Sequence, residues 1–226
     1  MKLVIFDCDG TLVDSQDGIC AAMGHAFTTL GLAIPSRAEV RGVIGLSLPQ
    51  VFAVLAPEQP ASVQAELAQL YRTDFPHQRD RAAMHDPLFA GMGGLVAMLA
   101  GREDVRLGIA TGKSRRGVAR LLEREGWEKH FATIQTADDN PSKPHPSMIL
   151  RAIAKTGAEA SATVMIGDTS YDMEMARSAG VGAVGVAWGY HEPERLRRAG
   201  AHAVVPSGDR LLAAIETRLA AREGGA

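Results

Sequence analysis

Several things are scarce in this chain of 226 residues, and each shortage closes off a class of protein. Cysteine occurs only at Cys8 and Cys20, too rarely for a disulfide scaffold, which suits a reducing cytoplasm. Charge of one sign is not in excess: the formal net charge is −2 at pH 7. No global field therefore draws the chain to nucleic acid or to an anionic membrane, and an anionic ligand would need a local constellation. Aromatic residues are 5% of the total. The basic residues Arg115, Arg116, Arg120 and Arg124 have none interleaved among them, so they read as a solvated helix face, not a nucleic-acid patch. Long hydrophobic runs are missing as well. Residues 18–36 carry no Asp, Glu, Lys or Arg, but they contain His25, Thr28, Thr29 and two further glycines, with the apolar residues on one face, so no membrane span is expected. The N-terminal apolar run reaches Asp7 too soon to be a signal peptide, and a cytoplasmic protein is expected.

What is present is ordinary for a globular protein: 46% hydrophobic and 22% charged residues. A chain of this length buries roughly 70% of its unfolded surface, as one large domain or one domain with an insert. Four apolar runs stand out: Leu3-Val4-Ile5-Phe6, Val105 to Ala110, Thr163 to Ile166 and Val181 to Val186. Each is followed by turn residues and then a helical pattern. Near-continuous apolar strands alternating with helices imply a parallel sheet covered on both faces, an α/β fold of Rossmann-like type. Phe131 to Thr136 and Ala203-Val204-Val205 read as further strands at the edges.

The segment 15–84 shows helical periodicity and no strand. Ile19, Ala22, Met23, Ala26, Phe27 and Leu30 keep a 3.6-residue spacing that stops at Gly31, and Val63, Leu67, Leu70 and Tyr71 do the same. A βα connection normally takes about 2–6 residues, whereas here about a hundred separate the first strand from the next. The reading is a core domain of residues 1–14 and 85–226 with a helical cap subdomain of residues 15–84, hinged near 13–16 and 81–87. Ligands in open α/β sheets bind beyond the strands' C-terminal ends, so the insert would lie over that crevice.

The most informative stretch is Asp7-Cys8-Asp9-Gly10-Thr11-Leu12, directly after the first strand. Two carboxylates there are costly to bury without a partner, and a divalent cation would be one. The first could act as a nucleophile and the second as a proton donor. An Asp-rich turn is the plain alternative. An EF-hand loop fails, because Gly10 falls at its fourth position, not its sixth, and Gly18 stands where a bidentate Glu is needed. Cys8, between the carboxylates, should have a raised thiol pKa and act as a packing residue. Other strand ends contribute Thr111, Lys143, Asp168 and Asp172. Taken singly, Thr111 reads as a turn residue, Lys143 as a solvated loop lysine, Asp168 as a helix N-cap and Asp172 as a first-turn acid.

Together, Asp7-Cys8-Asp9-Gly10-Thr11-Leu12, Ala110-Thr111-Gly112-Lys113, Lys143-Pro144-His145-Pro146 and Gly167-Asp168-Thr169-Ser170-Tyr171-Asp172-Met173 resemble the four motifs of the haloacid dehalogenase superfamily. The closest likeness is to its phosphatases with a helical cap after the first motif. Gly185 to Tyr190 and Ala203-Val204-Val205 are similar to the tail of the phosphoglycolate phosphatase branch. The resemblance implies a Mg²⁺-dependent phosphatase acting on a small phosphorylated metabolite. Asp7 would attack phosphorus and Asp9 would serve as acid and base. The metal would be held by Asp7, Asp168 and the backbone carbonyl of Asp9, with Asp172 supporting it. Thr111, Gly112 and Lys143 would bind the phosphoryl oxygens. In the cap, Arg41 and Gly45 look like the loop that reads the leaving group, although Arg41 could equally be a surface residue.

The second carboxylate, Asp9, points to phosphate and away from haloacids, which leave no oxygen to protonate. The stretch Arg41-Gly42-Val43-Ile44-Gly45-Leu46 keeps a base at its start but lacks the second of the family's hexose-phosphate mutases, which argues against a mutase, the nearest rival; a pyrophosphatase and a catalytically idle relative come behind it. Two decoys fall away. Gly180 to Gly185 fits a dinucleotide fingerprint but runs from helix into strand, and Leu107 occupies the first glycine of an apparent P-loop ending at Ser114. Trp127 and Trp188 could be core or interface.

Overall fold

The computed structural model describes residues 1–81 and 86–223. Its centre is a six-stranded sheet of β1 (Lys2–Phe6), β2 (Val105–Thr111), β3 (Phe131–Thr136), β4 (Thr163–Gly167), β5 (Gly182–Val186) and β6 (Ala203–Val205), in the order β3-β2-β1-β4-β5-β6. Every pairing is parallel. All six expected strands are present, with Phe131–Thr136 and Ala203–Val205 at the two edges.

Alternate side chains of each strand enter opposite layers, as strand geometry requires. Val4 and Phe6 of β1 join one apolar cluster with α5 (Met92–Ala100), α6 (Arg115–Glu125) and α10 (Gly208–Glu223). Leu3 and Ile5 face the other layer, packed by α7 (Ser147–Thr156), α8 (Ser170–Ser178) and Leu196 of α9 (Pro193–Arg198). Burial on both faces explains why these strands read as unbroken apolar runs. Trp127 lies in the first layer against Phe131, and Trp188 packs beside it with its indole N–H donating to the Thr11 carbonyl at 3.2 Å.

Between β1 and β2 come α1 (Gln16–Thr29), α2 (Arg37–Val43), α3 (Leu48–Leu55) and α4 (Ala61–Arg81). They share an apolar cluster of their own around Phe52, Met23 and Leu67. The periodic stripe expected for the first of them is its buried face: Ile19, Ala22, Met23, Ala26 and Phe27. α2 starts on a capping box, in which Ser36 and Glu39 satisfy each other's backbone N–H groups. The outgoing and returning connections run side by side: Asp14 N–H donates to Pro87 O at 2.9 Å, Phe89 N–H to Leu12 O at 3.0 Å, and Val13 bridges Leu88. The expected second hinge, 81–87, falls partly outside the described residues. No helix among the described residues is long and apolar enough to cross a membrane.

Candidate active site

Two central strands, β1 and β4, deliver the acidic residues to one place. β1 keeps its pairing with β4 through the Asp7 N–H, which donates to Ile166 O at 3.0 Å, so Asp7 leaves the sheet beside Asp168. The carboxylates of Asp7, Asp168 and Asp172 each offer an oxygen within 4.8 Å of the others, and all three are buried. Lys143, from the loop after β3, is fully buried with them, 3.0 Å from Asp7 Oδ2 and 2.6 Å from Asp172 Oδ1. It is not a solvated loop lysine. Thr111 ends β2 on the other side of Asp7 and is buried too.

Each carboxylate is held differently. Asp7 Oδ1 accepts the Cys8 N–H at 2.7 Å, while Oδ2 has no donor aligned on it for a hydrogen bond. Asp168 accepts the Thr11 hydroxyl at 2.7 Å and the Tyr190 N–H at 2.9 Å. It is not the N-cap of α8. That place belongs to Thr169, which forms a capping box with Asp172. Both oxygens of Asp172 are therefore engaged, one by Lys143 and the other by the Thr169 N–H and hydroxyl. Asp172 locks the lysine in place from behind. Close backbone approach makes room for these groups: a Cβ on Gly10, whose φ is +87°, would sit 2.1 Å from Asp168 Oδ2.

The electrostatics follow from burial. Desolvation raises Asp7 to about 6 against the pull of the Lys143 ammonium, and the Asp172 carboxylate adds to the rise. Desolvation, then the charges of Asp172 and Asp7, also push Asp168 well up. Burial alone would lower Lys143, but Asp172 and Asp7 overcome it and hold the ammonium above its ordinary range. Three buried carboxylates facing one buried ammonium leave negative charge uncompensated. This all-oxygen donor set fits a hard divalent cation. The Cys8 thiol is pushed strongly up by burial first and then by Asp7 and Asp9, as the sequence implies for an inert packing residue.

Asp9 stands apart from the acidic cluster. Its Oδ1 accepts the Ser15 hydroxyl and the Lys113 ammonium, each at 2.6 Å, and the Tyr190 hydroxyl lies 3.3 Å from Ser15 Oγ. Lys113 also lies 3.8 Å from Asp86, on the return connection of the helical insert. Burial works against the Lys113 charge, yet Asp9 and Asp86 raise its pKa. Sequence alone does not single out Lys113, Ser15 or Tyr190. Lys113 follows Thr111 and Gly112, but nothing local marks a lysine as the partner of an aspartate 104 residues away.

The helical insert rests on the strand ends. Ser47 N–H donates to Ser142 Oγ at 2.8 Å, and the Tyr171 hydroxyl to Gly42 O at 2.9 Å. A Cβ on Gly112 would meet Gly45 O at 2.7 Å, so the expected phosphate-loop glycine and the expected cap-loop glycine touch backbone to backbone. A cleft of ≈ 720 Å³ remains between the two layers, lined by Asp9, Gly45, Gly112 and Lys113 among others. Arg41 is not in its lining; half-buried, it reaches Gly189 O at 3.5 Å, and its Nε has no hydrogen-bond partner among the described residues. The arginine stripe is largely the solvated face expected, with Arg115, Arg116 and Arg124 exposed and Arg120 half-buried. Arg115 pairs with Asp139 and Arg124 with Glu125, whereas Arg116 and Arg120 line the cleft.

Both the sequence and the fold have relatives among known proteins. The profile of the haloacid dehalogenase-like hydrolases fits residues 4–186. The chain belongs to that family. It is 38% identical over 209 residues to "Probable phosphatase IndB" of Dickeya dadantii, covering 90% of this chain and 88% of that one. It is 29% identical over 193 residues to a phosphoglycolate phosphatase of Agrobacterium fabrum, covering 83% and 81%. The crystal structure of a hydrolase from Pseudomonas syringae superposes with a TM-score of 0.84 at 26% identity, covering 96% of this chain and 99% of that chain.

Proposed function

We propose that this haloacid dehalogenase-like hydrolase is a Mg²⁺-dependent phosphatase. It hydrolyses a small phosphorylated metabolite, a phosphomonoester of the phosphoglycolate type, through a phosphorylated Asp7. The carrying observation is the buried meeting of Asp7, Asp168 and Asp172 with Lys143 at the strand ends. The names of the curated relatives, a probable phosphatase and a phosphoglycolate phosphatase, support the same reading.

In this mechanism Asp7 Oδ2, held 3.0 Å from the Lys143 ammonium, attacks the phosphorus. Lys143 and Thr111 bind the non-bridging oxygens and balance charge as the phosphoryl group moves. Asp9 gives a proton to the departing alkoxide, then takes one from the water that cleaves the acyl phosphate and restores Asp7. Its Oδ1 is occupied by Ser15 and Lys113, which leaves Oδ2 to carry that proton. Asp7, Asp168 and the Asp9 backbone carbonyl would hold Mg²⁺, which when bound supplies Lewis-acid stabilisation of the transferring group. The closed insert excludes water from the first step. The free thiols Cys8 and Cys20 suit a cytoplasmic setting.

The test is phosphate release from an aryl phosphate with and without chelator, followed by a screen of phosphoglycolate, hexose phosphates, nucleoside monophosphates and pyrophosphate. Chelator should abolish turnover and Mg²⁺ restore it, and Asp7→Asn should be inactive with an unchanged circular dichroism spectrum. Normal turnover by that variant, or isomerised sugar phosphate in place of free phosphate, would refute the reading.

A further inference from the structure

The helical insert touches the sheet domain at Ser47–Ser142, Tyr171–Gly42 and Gly45–Gly112. His191 adds a fourth contact, its ring Nε2 lying 3.3 Å from Gly42 O. Even with these contacts made, ≈ 720 Å³ stays open between the layers. A two-carbon acid such as glycolate leaves most of that space unfilled.

The walls of the cleft are of two kinds. The insert supplies an apolar side, with Ile19, Met23, Val40 and Leu46 against the ring of Tyr71. The other side includes α6, which starts three residues after Gly112, so Arg116 and Arg120 lie successively farther along the helix from the lining residues Gly112 and Lys113. Arg116 and Arg120 lie one turn apart on it, so they share a face and stand about 6 Å apart along the axis. Neither makes an ion pair among the described residues, although Arg115 and Arg124 on the same helix both do. One acidic group, Asp138, also lines this end, and its carboxylate already accepts the Arg115 N–H at 2.7 Å. Arg72 adds a third guanidinium from the insert.

We propose that the substrate's alcohol portion is an elongated, mostly apolar body ending in an anionic group, and that Arg116 and Arg120 bind that anion while Asp7 takes the phosphoryl group at the other end. This rests on the phosphatase reading above, keeping its phosphomonoester chemistry and replacing the phosphoglycolate-sized alcohol with a longer one. The apolar wall matches the body, and the guanidinium pair matches a carboxylate or a second phosphate, which arginine grips through paired N–H donors. Both arginines come from the sheet domain, so recognition of the far end does not depend on the insert alone.

The experiment compares phenyl phosphate, 4-carboxyphenyl phosphate and phosphoglycolate at saturating Mg²⁺ and low ionic strength. The expected kcat/KM for 4-carboxyphenyl phosphate exceeds that for phenyl phosphate by about tenfold, mainly through KM, and exceeds that for phosphoglycolate. In Arg116→Gln/Arg120→Gln the carboxylate preference should fall to near one; comparing ratios between enzymes cancels the intrinsic reactivity of the two esters. Arg116→Gln and Arg120→Gln singly should give intermediate ratios and serve if the double variant folds poorly. Equal use of both aryl esters by the wild type, a preference that survives the double variant, or a higher kcat/KM for phosphoglycolate would overturn the inference and leave the phosphatase reading standing. No hydrolysis of any ester would defeat the phosphatase reading itself, and this inference with it.

Discussion

Lys113 Nζ lies 2.6 Å from Asp9 Oδ1 and 3.8 Å from Asp86 Oδ2, so one ammonium joins the proposed acid–base residue to the returning arm of the helical insert. Asp9 thus has a fixed orientation that depends on the insert's position. Lys113→Met should lower kcat/KM by about 10- to 100-fold, up to the lower limit of general acid–base contributions, because Asp9 itself remains. The loss should be larger for phenyl phosphate than for 4-nitrophenyl phosphate, because the poorer leaving group depends more on the proton. Gly117→Ala should act in the same direction but less, since its Cβ would fall 2.9 Å from Lys113 Cγ and push a flexible chain aside. Steady-state kinetics with the two esters decides it; equal losses would mean that Lys113 does not serve proton transfer.

The uncompensated buried charge around Asp7, Asp168 and Asp172 predicts strong linkage between metal and stability. Mg²⁺ at a hundredfold excess over Kd should raise the melting temperature by about 5 °C or more. Asp168→Asn should lose most of that rise along with activity. Differential scanning fluorimetry with Mg²⁺ and with chelator measures both.

His191 predicts a pH effect whose sign is set by burial. Desolvation and the nearby Arg195 lower it to about 4, with Gly42 O and Asp172 opposing and Arg41 adding. Its Nδ1 accepts the Ser170 N–H at 2.9 Å, a bond that protonation would end. Between pH 6.5 and about 4 the unfolded chain binds a proton here that the folded chain does not, so stability falls as pH falls through that window. The contribution is roughly 2–3 kcal/mol. Asp7 works the other way, since its raised pKa makes the folded state bind the proton first. Urea unfolding of wild type and His191→Gln in chelator, at pH 6.5 and 4.5, isolates the histidine: the variant should show the smaller loss of stability on acidification.

Gly112 meets Gly45 so closely that a methyl group cannot be added without moving the insert. Gly112→Ala should leave the melting temperature nearly unchanged and raise KM several-fold, with kcat reduced as closure becomes harder. Steady-state kinetics and a melting curve check both; an unaltered KM would mean that the two layers need not touch during turnover.

Much of the architecture could be read from residues because parallel strands covered on both sides leave a simple trace, an unbroken apolar run followed by a turn. Leu3 to Phe6 and Thr163 to Ile166 are such runs, and their ends carry the chemistry. The four motifs were legible for the same reason: each is a short local pattern at a strand end. What escaped depends on distant pairs. Lys113 owes its place to Asp9 and Asp86, and Asp9 has a further partner in Ser15, itself set by Tyr190. Arg116 and Arg120 do lie on the solvated side of α6; periodicity tells which side of the helix is apolar, not that its polar edge also borders the cleft. Asp168 looked like a helix cap because the true cap, Thr169, is its neighbour.

The paired arms at Val13 and Leu88 mean that the whole helical block is attached at a single point on the rim of the sheet. It behaves as an interchangeable cassette. Its sequence can drift or lengthen without altering how β1 lies between β2 and β4, so selection can retune what enters the enzyme while Asp7 and Asp168 keep their places.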